Sequence, residues 1–145
     1  MNIEILETPI RFQLHGLSSE VQNKQFGEVG MKLMNEMWKV VKDSSTANTG
    51  NNHWLYLPDG RMFVGVELLP DAMVPKQLES IEFDLKRYLK HVHIGPYQNL
   101  PAKWAALKTE IAERDETIGS PSLEIYGHHC DDQSKLETTI LIGLK

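Results

Sequence analysis

The clearest pattern in the chain is a hydrophobic stripe in residues 24–42, "KQFGEVGMKLMNEMWKVVK". Apolar side chains recur there every three or four positions, which is the spacing of one face of an α-helix. The pattern therefore predicts a first helix whose apolar face turns towards a core. The stripe consists of Phe26, Val29, Leu33, Met37 and Val40, with Met34, Trp38 and Val41 beside it.

A second helix is predicted over residues 97–116, because apolar residues again share one helical face. Pro101 falls in its first turn, where proline is tolerated because that backbone N–H has no partner within the helix. The segment "IGSPS" (118–122) supplies the stop signal. The apolar stripe of this helix consists of Leu100, Trp104, Leu107 and Ile111.

Extended segments surround both helices. The "PDG" turn at residues 58–60 is typical of a connection between two strands and predicts a hairpin. The polar run 43–52 before the hairpin is predicted to be a mobile loop. The predicted strands are residues 3–15 with a break at Pro9, 53–57 and 61–69 in the hairpin, 81–95, "LEIYG" (123–127) and "LETTILIGL" (136–144).

The order of the predicted elements occurs twice along the chain, in about 1–70 and 81–145. Each half contains strand–helix–strand–strand, although the two halves are not alike in sequence. Aligning the halves matches Tyr56 with Tyr126 and Trp54 with Glu124. We therefore predict one α+β domain over residues 1–145, in which duplicated strand–helix–strand–strand modules form an antiparallel sheet with two helices packed on one side.

Composition narrows the class of protein. The length of 145 residues suits one domain with a real core. No apolar run approaches the roughly 18 residues of a membrane span, and the first residues lack the pattern of a signal peptide. The single cysteine, Cys130, excludes an internal disulfide, so we expect a cytoplasmic protein that does not act at a membrane.

The net charge of −5 bears on the partners of the protein. Nucleic-acid binding draws its affinity from the neutralisation of phosphates, and the chain has no basic stripe, helix-turn-helix pattern or zinc-finger spacing. We therefore expect no direct nucleic-acid binding. An acidic protein favours cationic small molecules, although a charge of this size also serves ordinary solubility.

The predicted strand "SLEIY" (122–126) carries a carboxylate, Glu124, among apolar and aromatic residues. Strand periodicity puts Glu124 and Tyr126 on one face, and Leu123 and Ile125 on the other. A carboxylate walled by aromatic rings would attract a cation, and each ring would add roughly 0.5–2 kcal/mol of cation–π attraction. The alternative is a glutamate that faces solvent on the outer side of the sheet.

Several other side chains could line a pocket around Glu124. Aromatic residues on a helical stripe are commonly core residues, so each candidate also has a purely structural interpretation. Gly65, beside Phe63, would leave room for a ligand. The candidates are Trp54 and Tyr56 on the equivalent strand, Trp104 and Trp38 on the helices, Tyr97 at the entry to the second helix, Phe63, and Glu67 as a second carboxylate.

Metal and cofactor signals are weak. His91 and His93 share a strand face, and "HHCDD" (128–132) is rich in potential ligands, but neither has the regular spacing of a metal site. The alternative interpretations are a polar strand end for the first and a solvated loop for the second. The chain has no nucleophile elbow and no phosphate-binding glycine loop, so we expect no metal and no cofactor.

Four segments carry a family likeness: "HIGPYQNL", "AKWAALKTEI", "GSPSLEIYG" and "ETTILIGL". Together they resemble the GyrI-like small-molecule-binding family, which comprises effector-binding domains of AraC-type and MerR-type bacterial regulators and some stand-alone proteins. The likeness is best over residues 81–145. It implies two pseudo-symmetric modules with a ligand cleft between them, and it puts Glu124 in that cleft with Tyr126 beside it.

The resemblance leads to one main hypothesis and two alternatives. The main one is the binding of amphipathic, cationic or aromatic drug- or toxin-like molecules, with Glu124 as the charge partner. The first alternative is a hydrolase of strained, cyclopropane-bearing compounds that uses Glu124 and a tyrosine such as Tyr126 or Tyr97. The second is an inhibitor that binds a protein such as gyrase, and a homodimer also stays open. The predicted elements include no DNA-binding head, so we expect no direct role as a transcription factor.

Overall fold

The structure, a computed structural model, describes residues 2–127 and 131–145. Within these ranges the chain forms eight β-strands, two α-helices and two 3₁₀ turns, Tyr97–Asn99 and Gln133–Lys135. The larger elements, in chain order, are β1 (Glu4–Leu6), β2 (Ile10–Glu20), α1 (Phe26–Asp43), β3 (Asn48–Tyr56), β4 (Arg61–Leu68), β5 (Glu79–Leu85), β6 (Tyr88–Ile94), α2 (Leu100–Glu113), β7 (Ile118–Tyr126) and β8 (Glu137–Leu144).

Both predicted helices are present, but the strands are longer than the hydrophobic pattern indicates. The prediction of a loop over 43–52 is wrong for its second half, because β3 begins at Asn48. A register shift between Asn48 and Asn52 accommodates the polar residues, and Gly50 adopts a φ of 85° there. Likewise, β7 begins at Ile118, within the predicted stop signal. Residues 81–95 form two strands rather than one, and the chain turns between them at Lys86 and Arg87.

All eight strands belong to one antiparallel sheet in the order β1-β6-β8-β7-β3-β4-β2-β5. The two central strands, β3 and β7, come from different halves of the chain. The outer strands are exchanged, since β1 pairs with β6 of the second half and β5 pairs with β2 of the first. The α+β class is therefore confirmed.

The connections force the sheet to curl. β1 and β2 lie six positions apart, which is about 29 Å in a flat sheet. The three residues between them reach only about 14 Å. The curl encloses a core that joins strands from both edges of the sheet, including Leu6, Phe12, Leu55, Phe63, Leu85, Tyr88, Leu123 and Leu141.

Both helices pack on the opposite face of the sheet, as the sequence predicts. Leu33, Met37 and Val41 of α1 pack on β3 and β4. Leu107 and Ile111 of α2 pack on β6 and β8. Each such side chain contributes roughly 1.5–3 kcal/mol when fully buried. Since each helix covers one half of the sheet, β3 and β7 lie beneath the space between the helices.

Candidate functional site

A cavity of about 960 Å³ opens between α1 and α2, above the central strands. Its volume lies within the range of pockets that hold drug-sized molecules. Both helices and both central strands contribute lining residues, and most of the lining is apolar or aromatic.

Glu124 on β7 is the acidic residue in the lining of this cavity, and its side chain is only 3% exposed. The hydroxyl groups of Tyr56 and Tyr126 donate to Oε1, over 2.5 and 2.9 Å. The indole N–H of Trp104 donates to Oε2 over 2.8 Å. Three donors converging on two oxygens is the pattern of an ionised carboxylate, which only accepts hydrogen bonds.

All three donors to Glu124 are neutral. Among the ion pairs in the described part of the chain, none involves this carboxylate. Burial of a charge is costly unless hydrogen bonds and an opposite charge compensate it. The hydrogen bonds are present here, whereas no lysine, arginine or histidine nitrogen of the described residues lies within 4.0 Å of the carboxylate. Lys24 and Lys108 line the same cavity but form no ion pair with Glu124.

The two tyrosines that hold Glu124 are held in their protonated form. Burial, followed by the negative charge of Glu124, raises the pKa of Tyr56 well above its ordinary value of 10. The same two causes, in the same order, raise the pKa of Tyr126. Both hydroxyls therefore remain donors throughout the pH range in which the protein would work.

Aromatic rings surround the carboxylate on both sides. The Tyr126 ring makes edge contacts with Trp54 at a centroid distance of 5.4 Å and with Tyr97 at 5.2 Å. Tyr56 makes similar contacts with Trp104 at 5.8 Å and Phe26 at 5.4 Å. These edge-to-face contacts hold the rings in fixed positions relative to each other. The rings together form an aromatic lining on this part of the cavity.

The strand register relates the two halves at this point. Trp54 lies opposite Glu124 in the β3–β7 ladder, Tyr56 opposite Ser122, and Asn52 opposite Tyr126. This register is consistent with a two-fold relation that exchanges Tyr56 with Tyr126 and Trp54 with Glu124. It agrees with the alignment of the halves made from the sequence.

Six of the nine predicted site residues line the cavity together. They are Glu124, Tyr126, Trp54, Tyr56, Trp104 and Tyr97.

The structure places Phe63 and Glu67 away from the cavity. Val64 lies opposite Trp54 in the β3–β4 ladder, so Phe63 faces the other side of the sheet and packs in the enclosed core. Glu67 shares that face, where its carboxylate lies 3.6 Å from Nε2 of His53. The sequence left this choice open because β4 is buried on both faces, and apolar residues occupy both sets of alternate positions.

Trp38 lies behind the cavity wall rather than in it. Its ring packs between α1 and the sheet, and its indole N–H donates to Oδ1 of Asn52. Asn52 itself lines the cavity. Trp38 therefore supports a lining residue instead of contacting the cavity.

Several lining residues were missed by the sequence analysis. Asn52 was assigned to a loop because it lies in a polar run, although it is two positions before Trp54 and shares its strand face. Phe26 and Met34 were assigned to the helical stripe, and Met31 was not singled out. The periodicity of one helix shows which face is buried, but it does not show which edge of that face borders a cavity. These residues could be found only by knowing how α1 lies beside α2.

His91 and His93 are both buried, and each ring has a contact with a backbone carbonyl. Nδ1 of His91 lies 2.6 Å from the carbonyl oxygen of Asn2, and Nε2 of His93 lies 3.2 Å from that of Pro96. Over residues 2–127 and 131–145, no three potential ligand side chains come together. His128, His129 and Cys130, in the predicted loop, lie outside the described residues.

Solved structures share this fold at low sequence identity. SAV2435 bound to tetraphenylphosphonium superposes with a TM-score of 0.68 at 16% identity, covering 100% of this chain and 94% of its own. The EcmrR C-terminal domain gives 0.70 at 13% identity, with coverage of 100% and 99%. A hydrolase from Listeria innocua gives 0.57 at 8% identity, with coverage of 96% and 92%. Identities this low show the fold alone.

No curated protein matches the chain. Neither α1 nor α2 is long and apolar enough to cross a membrane, and no other helix in the described ranges is. The sequence model of the family described as the GyrI-like small molecule binding domain matches residues 1–145, and the chain therefore belongs to the GyrI-like family.

Proposed function

We propose that the protein binds amphipathic aromatic cations in the cavity between α1 and α2, with Glu124 as the charge partner. One observation carries the proposal: the carboxylate of Glu124 is buried in an aromatic cavity, and its hydrogen-bond partners are three neutral donors. Such donors favour the ionised form of a carboxylate. A positive ligand would supply the charge that is missing.

The aromatic wall favours the same class of ligand. A delocalised cation loses little hydration on entering such a cavity, and each ring face within reach adds roughly 0.5–2 kcal/mol. The electrostatic attraction to Glu124 is stronger in this enclosed site than in water, because the local dielectric constant is lower.

The exposed part of the lining suits an amphipathic ligand. Met31, Tyr97 and Ile118 line the cavity, and their side chains are 48%, 40% and 37% exposed. These apolar groups can cover an apolar part of a ligand that extends towards solvent. The fold relative SAV2435 has been solved with tetraphenylphosphonium, a bulky aromatic cation, which is the chemistry proposed here.

Isothermal titration with tetraphenylphosphonium tests the proposal on Glu124→Gln. A glutamine can keep all three contacts, because its oxygen accepts from Trp104 while its amide group donates to the tyrosine oxygens. The substitution therefore removes the charge and preserves the packing. We expect an affinity loss of about 1–3 kcal/mol, as for a contact with a charged group.

Glu67→Gln is the matched control, since it removes the same charge from the opposite face of the sheet. It should leave the affinity unchanged, and neutral triphenylphosphine oxide should bind weakly to both proteins. Equal affinities of wild type and Glu124→Gln for tetraphenylphosphonium would overturn the proposal.

The hydrolase and protein-inhibitor hypotheses stay predictions. Turnover of a cyclopropane substrate that is lost in Glu124→Ala would support the first. Capture of gyrase by protein saturated with a small ligand would support the second.

A further inference from the structure

We infer that Asn52 is a second polar anchor of the cavity, which donates a hydrogen bond to an acceptor atom of the ligand and is held in place by Trp38. The inference rests on the proposed function and specifies its ligand: an aromatic cation that also carries an acceptor such as a carbonyl oxygen.

The chemistry of Trp38 fixes the orientation of Asn52. An indole N–H can only donate, so the atom of Asn52 that it contacts must be the amide oxygen. The two ends of an asparagine amide are otherwise hard to tell apart. Here the NH₂ group is necessarily the end turned away from Trp38.

The NH₂ group of Asn52 is available to a ligand. Asn52 is half-buried and lines the cavity, and its amide nitrogen donates no hydrogen bond to any other described residue. Trp54, two positions along the same strand face, also has a buried indole N–H without an acceptor among the described residues. The β3 side of the cavity therefore offers donors, whereas the β7 side offers the carboxylate of Glu124.

The strand register sets the distance between the two anchors. Asn52 lies opposite Tyr126, and Glu124 lies opposite Trp54, so Asn52 and Glu124 are diagonal neighbours. Such neighbours are roughly 7–8 Å apart along a sheet surface. A single ligand can therefore contact both residues when its acceptor and its charge are separated by about one aromatic ring.

Each helix anchors one of these two residues in the same manner. Trp38 of α1 donates to Asn52 on β3, and Trp104 of α2 donates to Glu124 on β7. Trp38 is thus a positioning residue, which acts on a ligand through Asn52.

A pair of matched probes separates the contribution of Asn52 from that of Glu124. The first is (4-acetylphenyl)triphenylphosphonium, which carries a carbonyl acceptor. The second is (4-isopropenylphenyl)triphenylphosphonium, in which a CH₂ group replaces the carbonyl oxygen and the planar shape is kept. Titration calorimetry of the wild type should give a Kd about 3- to 10-fold lower for the acetyl probe, the range expected for one net hydrogen bond.

Substitutions then assign the preference to its source. Asn52→Leu should bring the ratio of the two Kd values to about 1, and Trp38→Phe, which keeps the ring but loses the N–H, should reduce it. Glu124→Gln should weaken both probes alike and leave the ratio unchanged. A general packing defect would weaken the binding of both probes and would leave the ratio of their Kd values unchanged.

Two results would overturn the inference while leaving the proposed function intact: equal Kd values for the two probes in the wild type, or a preference that survives in Asn52→Leu. If Glu124→Gln weakens neither probe, the proposed function fails, and the ratio still decides the role of Asn52. If the wild type binds neither probe, both proposals fail.

Discussion

Trp54 and Glu124 face each other across the β3–β7 ladder, at the point where the two halves of the sheet meet. The register of the strand pairing at this point is symmetric, but the chemistry is not, because one half presents an indole and the other a carboxylate. The tyrosines at the next facing position on each strand, Tyr56 and Tyr126, both donate to the single acid. The site is therefore built by two similar halves around one charge.

The contact between α1 and Trp54 depends on the absence of a side chain at Gly30. A Cβ atom there would lie 2.3 Å from Cζ3 of Trp54, so either the indole or the helix would have to move. We expect Gly30→Ala to destabilise the protein by about 1–3 kcal/mol, as overpacking does, and to weaken tetraphenylphosphonium binding. Urea denaturation and calorimetry measure the two effects.

Gly27→Ala is the control for that substitution, because a Cβ there would meet nothing within 4 Å. It should be neutral or stabilising by up to about 1 kcal/mol, since alanine favours the helix. Similar destabilisation by both variants would show that the indole contact is not the cause.

The hydroxyl of Tyr56 should stabilise the free protein through its bond to a charged group. We expect Tyr56→Phe to lower the free energy of unfolding by about 1.5–3 kcal/mol, the range for hydrogen bonds to ions. In a Glu124→Gln background the loss should fall to about 1 kcal/mol, because the hydrogen bond of Tyr56 is then made with a neutral amide instead of a charged carboxylate. A double-mutant cycle from urea denaturation yields this coupling directly.

Tyr97→Phe serves as the comparison, since the hydroxyl of Tyr97 makes no hydrogen bond to Glu124. Its effect on stability should be close to zero. Equal losses for Tyr56→Phe with and without the charge at position 124 would refute the predicted coupling.

His53 should make stability depend on pH. Burial lowers the pKa of His53 from 6.5 to about 4, and a hydrogen bond from its ring to the carbonyl of Asn51 offsets only part of this effect. Glu67, 3.6 Å from Nε2, is half exposed to solvent. Above pH 6.5 the ring is neutral in both folded and unfolded protein, so it has no influence there.

Between pH 6.5 and about 4 the unfolded chain binds a proton at His53 and the folded protein does not. The free energy of unfolding should therefore decrease as the pH falls, and His53 should account for about 3 kcal/mol of the decrease in total. Below pH 4 this residue should cause no further decrease. Thermal unfolding of wild type and His53→Gln from pH 7 to 4 measures the difference. Parallel pH profiles for the two proteins would contradict the prediction.

The periodic parts of the sequence predicted most of the architecture. The stripes in α1 and α2 follow from burial on one helix face, and the alternation in β7 put Glu124 and Tyr126 on the same face. Where both faces of a strand are buried, the alternation of residue types does not show which face lines a cavity. For this reason the sequence could not decide whether Phe63 on β4 faces the cavity or the enclosed core. Polar residues such as Asn52 joined a strand because a neighbouring register shift and tertiary pairing outweigh local propensity.

The exchange of β1 and β5 between the halves has a consequence for how such a fold can be assembled. In an isolated module, the first strand would have no strand to pair with. The strand at the edge of the module's own sheet would also stay unpaired. Two identical modules could complete each other as a strand-exchanged dimer, but any residue on the two-fold axis would then be duplicated. A single chain does not have that restriction, so an indole and an acid can meet at the axis. The cavity between α1 and α2 therefore forms only when both halves are present.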